Sequence, residues 1–441
     1  MALYNVVYLH THDLGRFIQP YGEAVATPYL MGLAREGTLF RHAYCAAPTC
    51  SPSRAALLTG VSPHVAGMTG LVNRGFGLNA QARQWHLAHF LAGQGYETVL
   101  AGVQHEAPPG AEAEIGYART LAPLGEPGEA RDLRLAAAAA HYIREHRGPG
   151  PFFLAFGMGA THRPFPALDG SIPPDYVRPA PPFFDGAQNR EDMARFLQAV
   201  TIVDRAVGMV LDALRASGRD RDTVVFFTTD HGIAFPHMKC NLFDTGIGVS
   251  LILRFPGNPL AGHATDALVS HLDLYPTLCA LTGLPAPAWL EGHSLLPLLR
   301  GETQAVRDEV CAEVTYHAAY EPMRGIRTAR HKLIALYDGL ARPVPANIDD
   351  GPTKAFLLDA GLSAEPRAAE MLFDLWLDPL ERVNRVDDPR YQAVREALAG
   401  RLERWMTTTA DPLLAGPRVP RPDGAQVNTR ASLSPTLPEY E

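Results

Sequence analysis

The eleven residues CSPSRAALLTG, at positions 50–60, are the most informative stretch of this chain. The Ser-Pro-Ser sequence and the Ala and Leu residues after it are typical of a helix start, with Ser at the cap and Pro just inside. Arg54 follows Cys50 by four residues, so on a helix both side chains would lie on one face. That face would lie near a helix N-terminus, which attracts anions. The stretch therefore predicts either an ordinary helix start or an anion-binding site.

The same stretch resembles the C-x-P-x-R maturation motif of the type I sulfatases. In that family a dedicated enzyme oxidises the motif cysteine to formylglycine, and the hydrated aldehyde supplies the nucleophile. The resemblance implies that Cys50 is a formylglycine precursor and that a formylglycine-generating enzyme is a partner of the chain. The chemistry agrees, because a negatively charged sulfate ester or sulfamate needs an activated oxygen nucleophile, a metal and nearby cations.

Length and composition indicate a large globular enzyme. The 441 residues exceed what one hydrophobic core usually supports, and 46% of them are hydrophobic. A net charge of -8 without any Lys/Arg run argues against a nucleic-acid partner. No apolar run is long enough to cross a bilayer, and the first predicted strand leaves no room for a signal peptide. The five widely spaced cysteines favour a reducing compartment, so we expect a cytoplasmic protein without a zinc cluster.

Over the first 300 residues, apolar runs alternate with amphipathic segments. Strands are predicted at residues 5–9, 98–101, 152–155, 223–228 and 250–254. Helices are predicted at residues 29–36, 82–94, 132–147 and 190–217. Short apolar strands separated by helices predict an α/β fold with a large, mainly parallel sheet flanked by helices. Active residues should then gather at the carboxyl ends of the strands.

The pattern changes after about residue 300. We therefore predict a catalytic domain over residues 1–300 and a smaller C-terminal α+β subdomain over residues 301–441. The subdomain is predicted to hold an antiparallel pair at 323–337, a long loop at 341–366, a strand at 371–375 and a helix at 391–408. The proline-rich tail from Pro412 is predicted to be irregular.

Two acidic tips follow predicted strands. His12 and Asp13 come after the first strand, and Asp230 and His231 come after the strand at 223–228. Sulfatases and their alkaline phosphatase relatives bind one divalent ion at such tips. The resemblance thus implies an alkaline-phosphatase-like fold and a metal site made of these four residues and the modified Cys50. It implies Ca²⁺ as the ion, with Mg²⁺ or Mn²⁺ as alternatives.

His12 departs from the family, which has an aspartate at this position. Calcium prefers oxygen ligands, whereas imidazole suits borderline transition metals. Three roles stay open for His12: it ligates the metal, it only lines the site, or it leaves a coordination position to His10 or to water.

Single basic residues follow other predicted strands. His105 falls where sulfatases carry G-K-x-H, although Val103 replaces the lysine, and His162 resembles the histidine of the P-H-x-P-F segment. Lys239 lies nine residues after Asp230 and matches a lysine that contacts the sulfuryl oxygens. The resemblance implies that Arg54 and Lys239 neutralise charge on those oxygens. Either His162 or His105 would protonate the leaving group.

The second half of the chain resembles the N-sulfoglucosamine sulfohydrolase branch of the family. The similarity rests on EVTY at 313–316, PMR at 322–324, LFDL at 372–375 and DPLE at 378–381. It implies an N-sulfoglucosamine-like saccharide as substrate, with Glu313, His317 and Arg324 as candidates for binding the sugar. Alternatives stay open: an aryl O-sulfatase, a phosphonate or phosphate ester hydrolase of the same superfamily, or a non-catalytic binding protein. The oligomeric state is not indicated.

Overall fold

The structure is a computed structural model that describes residues 4–126, 128–437 and 439–441. Its strands are β1 (Asn5–Thr11), β2 (Thr38–Tyr44), β3 (Glu97–Gly102), β4 (Arg119–Leu121), β5 (Phe152–Met158), β6 (Thr223–Thr229), β7 (Leu251–Arg254), β8 (His263–Ser270), β9 (Glu309–Tyr316), β10 (Tyr320–Thr328), β11 (His331–Leu336) and β12 (Glu370–Asp374). Its helices are α1 (Pro28–Glu36), α2 (Cys50–Thr59), α3 (Pro63–Ala66), α4 (Ala80–Trp85), α5 (Leu87–Gly93), α6 (Arg131–Glu145), α7 (Ala187–Ala216), α8 (Asp244–Ile247), α9 (Leu274–Thr282), α10 (Leu296–Leu299), α11 (Pro352–Asp359) and α12 (Gln392–Thr408).

The first eight strands form one sheet in the order β4-β3-β5-β1-β6-β7-β2-β8. Strand β7 runs antiparallel to both of its neighbours, and the other adjacent pairs are parallel. The predicted mainly parallel sheet is confirmed. The strand predicted at 250–254 corresponds to β7, and its antiparallel direction makes the sheet mixed. Three of its strands, β2, β4 and β8, were not predicted from the sequence.

Helices cover the large sheet on both faces. Successive residues of β1 alternate between two cores: Tyr8 packs with α2, α5 and α9 on one face, and Val7 packs with α1, α6 and α7 on the other. Strands that are buried on both faces need continuous apolar runs, such as the TVVFFTT sequence of β6. Within residues 4–126, 128–437 and 439–441, no helix is both long and apolar enough to cross a membrane.

Two predicted elements differ from the structure. The helix predicted at 82–94 is divided into α4 and α5, because His86 between them adopts an extended backbone and its Nδ1 accepts a hydrogen bond from Ala88 N at 3.2 Å. The loop predicted at 341–366 contains α11, whose Thr353 hydroxyl donates to Asp192 Oδ2 of α7 at 2.7 Å. This short helix was not predicted because the proline and glycine residues around it are typical of a loop.

The remaining four strands form an antiparallel sheet in the order β12-β11-β10-β9. The predicted antiparallel pair at 323–337 corresponds to β10 and β11. One face of this small sheet packs against α12 through Ile326, Leu398 and Leu402. The other face contributes Val314 and Tyr320 to the same core that contains α2. The small sheet therefore packs on the same face of the large sheet as α2, the helix that begins at Cys50.

Candidate active site

The order of the strands brings four separate segments of the chain to one edge of the large sheet. Neighbouring strands β3, β5, β1 and β6 are parallel, so the residues that follow them meet at their carboxyl ends. His105 follows β3, His162 follows β5, Asp13 follows β1 and Asp230 follows β6. The candidate residues proposed at these four tips therefore lie at a common edge.

Cys50 is the first residue of α2 and is only 3% exposed. Its Sγ lies 3.4 Å from His231 Nε2 and 3.9 Å from Asp13 Oδ1. Burial raises the pKa of the Cys50 thiol well above its usual range. Because only the thiolate is a strong nucleophile, the unmodified cysteine is poorly suited to attack a substrate.

The serines of the Cys50 motif hold α2 in place. The predicted helix start is found, but the cap residue is Thr49, and its side chain makes no capping hydrogen bond. Ser51 Oγ accepts a hydrogen bond from Val72 N at 3.1 Å, and Ser53 Oγ donates to the Asp230 carbonyl at 2.6 Å. The expected serine cap is thus wrong, because these hydroxyls connect α2 to neighbouring segments.

Two imidazoles and two carboxylates surround Cys50 in the buried interior. Candidate ligand atoms of His12, Asp13, Cys50 and Asp230 all lie within 4.8 Å of one another. His12 Nδ1 lies 3.2 Å from Asp230 Oδ2, without the geometry of a hydrogen bond. His231 Nε2 lies 3.4 Å from Asp13 Oδ1 and 3.7 Å from Asp230 Oδ2. The five residues of the predicted metal site therefore lie in one cluster.

The tautomer of His231 follows from its backbone contact. Its Nδ1 lies 2.9 Å from the carbonyl oxygen of Gly232, which can only accept, so Nδ1 carries the proton. Nε2 is then the ring nitrogen that faces Asp13 and Asp230. An imidazole nitrogen and two carboxylates that converge in this way fit a bound cation, and a backbone carbonyl on the other ring nitrogen is typical of metal-ligating histidine.

The backbone orients both carboxylates. Asp13 has a φ of 47°, in the left-handed region that Asp tolerates better than most residues. Asp230 Oδ1 accepts hydrogen bonds from Asp13 N and from His231 N, both at 2.9 Å. The tips of β1 and β6 are therefore connected through one carboxylate oxygen.

Arg54 lies beneath this cluster and is buried. Its Nη2 donates to Asp230 Oδ2 and to the Thr11 carbonyl, each at 3.1 Å, and its Nη1 contacts His10 Nδ1. Because a guanidinium has only donors, His10 Nδ1 must accept. Burial and the Arg54 charge both lower the pKa of His10. The Nδ1 lone pair of His10 is thus used by Arg54, which disfavours His10 as a metal ligand.

Lys239 connects the cluster to a residue that was not predicted. Its Nζ lies 3.0 Å from Asp13 Oδ2 and 2.8 Å from Asp349 Oδ2. Burial disfavours the lysine charge, but Asp13 and Asp349 raise the pKa of Lys239 well above its usual range. Asp349 belongs to the segment predicted as a loop. The only feature of the sequence that could have pointed to Asp349 is the acidic pair at 349–350. No predicted strand precedes this pair, so it was not placed among the strand-end residues of the site.

His317 is buried beside this ion pair. Burial and then the Lys239 charge lower the pKa of His317 to about 3. Its Nδ1 is buried without a hydrogen-bond partner. Of the three residues proposed to bind the sugar, His317 is therefore the one that lies near Lys239.

His105 and His162 flank His12, with ring centroids 4.7 Å and 5.4 Å from its ring. Burial and then Arg54 lower the pKa of His105 to about 3, so its ring is neutral at neutral pH. His162 Nδ1 donates to the Arg163 carbonyl at 2.6 Å, which leaves Nε2 facing Asp13 Oδ2 at 4.0 Å. The His162 side chain is 39% exposed, so it borders both solvent and the cluster.

Glu313 and Arg324 lie elsewhere, in a second buried network. Glu313 Oε1 accepts from His64 N at 2.9 Å, and Arg324 Nη2 donates to Asp411 Oδ1 at 3.0 Å. Arg324 also donates to the Val314 carbonyl at 2.8 Å. Among the residues that the structure describes, the ion pairs of Glu313 and Arg324 stay within this network. The structure thus does not bring these two residues to the Cys50 cluster.

Comparison with known sequences places this arrangement in a family. Residues 4–284 match the Sulfatase family, and residues 234–342 match the family described as N-sulphoglucosamine sulphohydrolase, C-terminal. The human N-sulphoglucosamine sulphohydrolase is 30% identical over 457 aligned residues, which cover 89% of this chain and 88% of that relative.

Solved structures share the fold. A protein in complex with its substrate D-glucosamine-2-N,6-O-disulfate superimposes with a TM-score of 0.72 at 18% identity, covering 93% of this chain and 98% of the other. The phosphonate monoester hydrolase of Agrobacterium radiobacter gives a TM-score of 0.68 at 21% identity, covering 95% and 100%. These neighbours confirm the predicted alkaline-phosphatase-like architecture. The family match over residues 4–284 and the human relative show that this chain belongs to the sulfatase family and is a sulfuric ester hydrolase.

Proposed function

We propose that this sulfatase removes sulfate from the nitrogen of an N-sulfoglucosamine-like saccharide, with formylglycine at position 50. The observation that carries the proposal is the convergence of Asp13, His231 and Lys239 on the start of α2. The match of residues 234–342 to the N-sulphoglucosamine sulphohydrolase C-terminal family supports a sulfamate substrate. A buried protonated thiol would be a poor nucleophile, which supports the conversion of Cys50 to formylglycine.

Maturation then requires a partner that acts before folding is complete. Cys50 lies inside the folded chain, where an oxidising enzyme cannot reach its side chain. We therefore propose that the formylglycine-generating enzyme binds the segment around 50–54 in the unfolded chain. All five cysteines are unpaired in the structure, which supports the proposed cytoplasmic location.

The charged residues of the cluster have different proposed roles. A divalent cation held by His12, Asp13, Asp230 and His231 would polarise a sulfuryl oxygen and lower the pKa of a hydroxyl at position 50. Lys239 supplies a positive charge beside position 50, where it would stabilise the sulfuryl oxygens. Arg54 uses its terminal nitrogens on His10, Thr11 and Asp230, so we propose it as a positioning residue.

His162 is the proposed general acid. When the S–N bond breaks, its electrons remain on nitrogen, and that nitrogen must take a proton to leave as an amine. His105 is neutral at neutral pH, so it has no imidazolium proton to give. His162 Nδ1 is held by the Arg163 carbonyl, which leaves Nε2 as the nitrogen that can pass a proton to the substrate, and its side chain borders solvent. This difference favours His162 over His105.

The proposed domain boundary near residue 300 also bears on the site. Strands β9 to β12 all lie beyond it, which supports the division. However, Lys239 of the first part pairs with Asp349 of the second. We therefore infer that the C-terminal part completes the substrate site of the catalytic part.

The proposal is tested by incubating the matured, metal-loaded enzyme with N-sulfoglucosamine and measuring free amine and inorganic sulfate in equal amounts. The Cys50→Ala variant is the control for contaminating activity. Brisk hydrolysis of p-nitrophenyl sulfate without amine release would instead make the enzyme an O-sulfatase.

A second candidate is a phosphonate monoester hydrolase. It is favoured by one specific observation, the similarity in fold to the phosphonate monoester hydrolase of Agrobacterium radiobacter. Turnover of a phosphonate monoester that is faster than turnover of every sulfated substrate would establish this alternative.

A further inference from the structure

Each carboxylate at the proposed metal site has one oxygen committed to a protein donor. Asp13 Oδ2 pairs with Lys239 Nζ at 3.0 Å, and Asp230 Oδ1 accepts two backbone N–H groups at 2.9 Å. The carboxylate oxygens that remain to bind a metal are therefore Asp13 Oδ1 and Asp230 Oδ2. The second of these also accepts from Arg54 at 3.1 Å.

The two imidazoles face these same two oxygens. His231 Nε2 lies 3.4 Å from Asp13 Oδ1 and 3.7 Å from Asp230 Oδ2, and His12 Nδ1 lies 3.2 Å from Asp230 Oδ2. His12 and His231 are both buried, and His12 Nδ1 has no hydrogen-bond partner. Ligand atoms of His12, Asp13 and Asp230 thus lie within 4.8 Å of one another together with Cys50, and His231 Nε2 borders the same two carboxylate oxygens.

This donor set is poor for calcium. Ca²⁺ takes about 6–8 oxygen ligands, often from bidentate carboxylates, whereas neither carboxylate here has both oxygens free. The negative charge of the two carboxylates is also offset by Lys239 and Arg54, which weakens the attraction for a hard cation. Imidazole nitrogen, in contrast, binds borderline transition ions well, and four ligands of mixed N and O type suit Zn²⁺.

We propose that the resident metal of this site is a borderline divalent transition ion rather than Ca²⁺, and that this ion is Zn²⁺. His12 and His231 provide nitrogen ligands, and Asp13 and Asp230 provide one oxygen each. This inference rests on the site of the proposed function, and it makes His12 and His231 the residues that select the metal. It replaces the calcium that the family resemblance implies.

The test measures binding without turnover. The full-length protein is stripped with a chelator and titrated separately with Zn²⁺, Co²⁺, Ca²⁺ and Mg²⁺ by calorimetry. We expect Zn²⁺ and Co²⁺ to bind at least about tenfold more tightly than Ca²⁺ and Mg²⁺. Bound Co²⁺ should give visible absorption bands that report the nitrogen ligands.

Three variants locate the selectivity. His12→Asp and His231→Asn replace a nitrogen by an oxygen donor, so each should weaken Zn²⁺ about 10- to 100-fold, shift the Co²⁺ bands and strengthen Ca²⁺. His141→Gln is the matched control, because its imidazole is exposed on α6 and belongs to no part of the cluster, and its metal affinities should not change. Thermal unfolding of the metal-free variants shows that each one is folded.

Tighter binding of Ca²⁺ than of Zn²⁺ by the wild-type protein would overturn the proposal. Unchanged Zn²⁺ affinity in both His12→Asp and His231→Asn would overturn it as well. Because no substrate is present, a protein that selects Zn²⁺ but hydrolyses no sulfamate would refute the proposed substrate and leave the metal assignment supported.

Discussion

The Nζ of Lys239 lies 3.0 Å from Oδ2 of Asp13, so the carboxylate proposed to bind the metal also pairs with a buried ammonium group. The second partner of the lysine, Asp349 at 2.8 Å, comes from a distant part of the chain. The position of Lys239 beside Cys50 therefore depends on a contact between the catalytic part and the C-terminal part.

Replacing Asp349 by Asn should release Lys239 from one of its two carboxylates. We expect kcat/KM for the sulfated substrate to fall about 100-fold, the loss typical of a catalytic group displaced by about 1 Å. Asp350→Asn is the matched control, because the Asp350 side chain is 46% exposed and pairs with Lys354 instead. Equal activities of the two variants would contradict the role assigned to Asp349.

Cys50→Ala should abolish turnover and leave the fold intact, because an alanine can occupy the start of α2 but cannot be matured. Protein from a host that carries the maturation enzyme should yield a tryptic peptide 42–54 with the mass of the aldehyde. Tandem mass spectrometry must place the change at position 50 and not at Cys45, which lies in the same peptide. Full activity of the alanine variant would refute the mechanism.

His162→Ala should damage hydrolysis of the sulfamate far more than hydrolysis of p-nitrophenyl sulfate. The amine must be protonated as it leaves, whereas the nitrophenolate leaves unaided, so only the first reaction needs the acid. We expect kcat for N-sulfoglucosamine to fall about 10²- to 10⁴-fold. The test compares the fall in kcat for the sulfamate with the fall in kcat for p-nitrophenyl sulfate, both measured on one preparation. Equal falls would show that His162 is not the general acid.

Lys332→Met should destabilise the junction between the two sheets. Lys332 is buried, and its Nζ lies 2.5 Å from Asp244 Oδ1 and 2.8 Å from Glu381 Oε1. Its loss leaves Glu381 without an ion-pair partner among the described residues and leaves Asp244 with Arg327 alone, so we expect the free energy of unfolding to fall by about 3–5 kcal/mol. Arg195→Met, which breaks a pair with Glu191 whose side chains are 40% and 48% exposed, should cost about 1 kcal/mol or less in the same denaturant titration.

The ion pair of Lys332 with Asp244 also predicts that the stability of the fold depends on pH. Burial disfavours the Asp244 charge, but Lys332 and Arg327 together lower the pKa of Asp244 below its usual range. Its contribution to stability is then fully present above the unfolded pKa of about 3.9 and is lost as the pH falls toward the folded value. Without Lys332 the folded pKa rises, so acid unfolding should begin at a higher pH. An unchanged acid midpoint in Lys332→Met would show that this pair does not set acid stability.

The central strands could be predicted because burial on both faces leaves a continuous apolar run. The strands predicted at 5–9, 98–101, 152–155 and 223–228 correspond to β1, β3, β5 and β6. Strands β4 and β8 lie at the two edges of the sheet, and five of the eight residues of β8 are exposed or partly exposed, so their sequences carry a weaker signal. The break at His86 depends on one local hydrogen bond that apolar periodicity does not report.

The sequence by itself determined which chemical groups are present and which strands carry them. The motif at 50–54 and the tips at Asp13 and Asp230 could be read locally, because a short motif and a strand end are properties of neighbouring residues. Only the tertiary structure decided which atoms meet. The pairing of Lys239 with Asp349, the separate network of Arg324 and Asp411, and the approach of His231 Nε2 to Asp13 Oδ1 all depend on contacts between residues far apart in the chain. A linear pattern does not encode such distances, since they are set by strand order and by the packing of one sheet on the other.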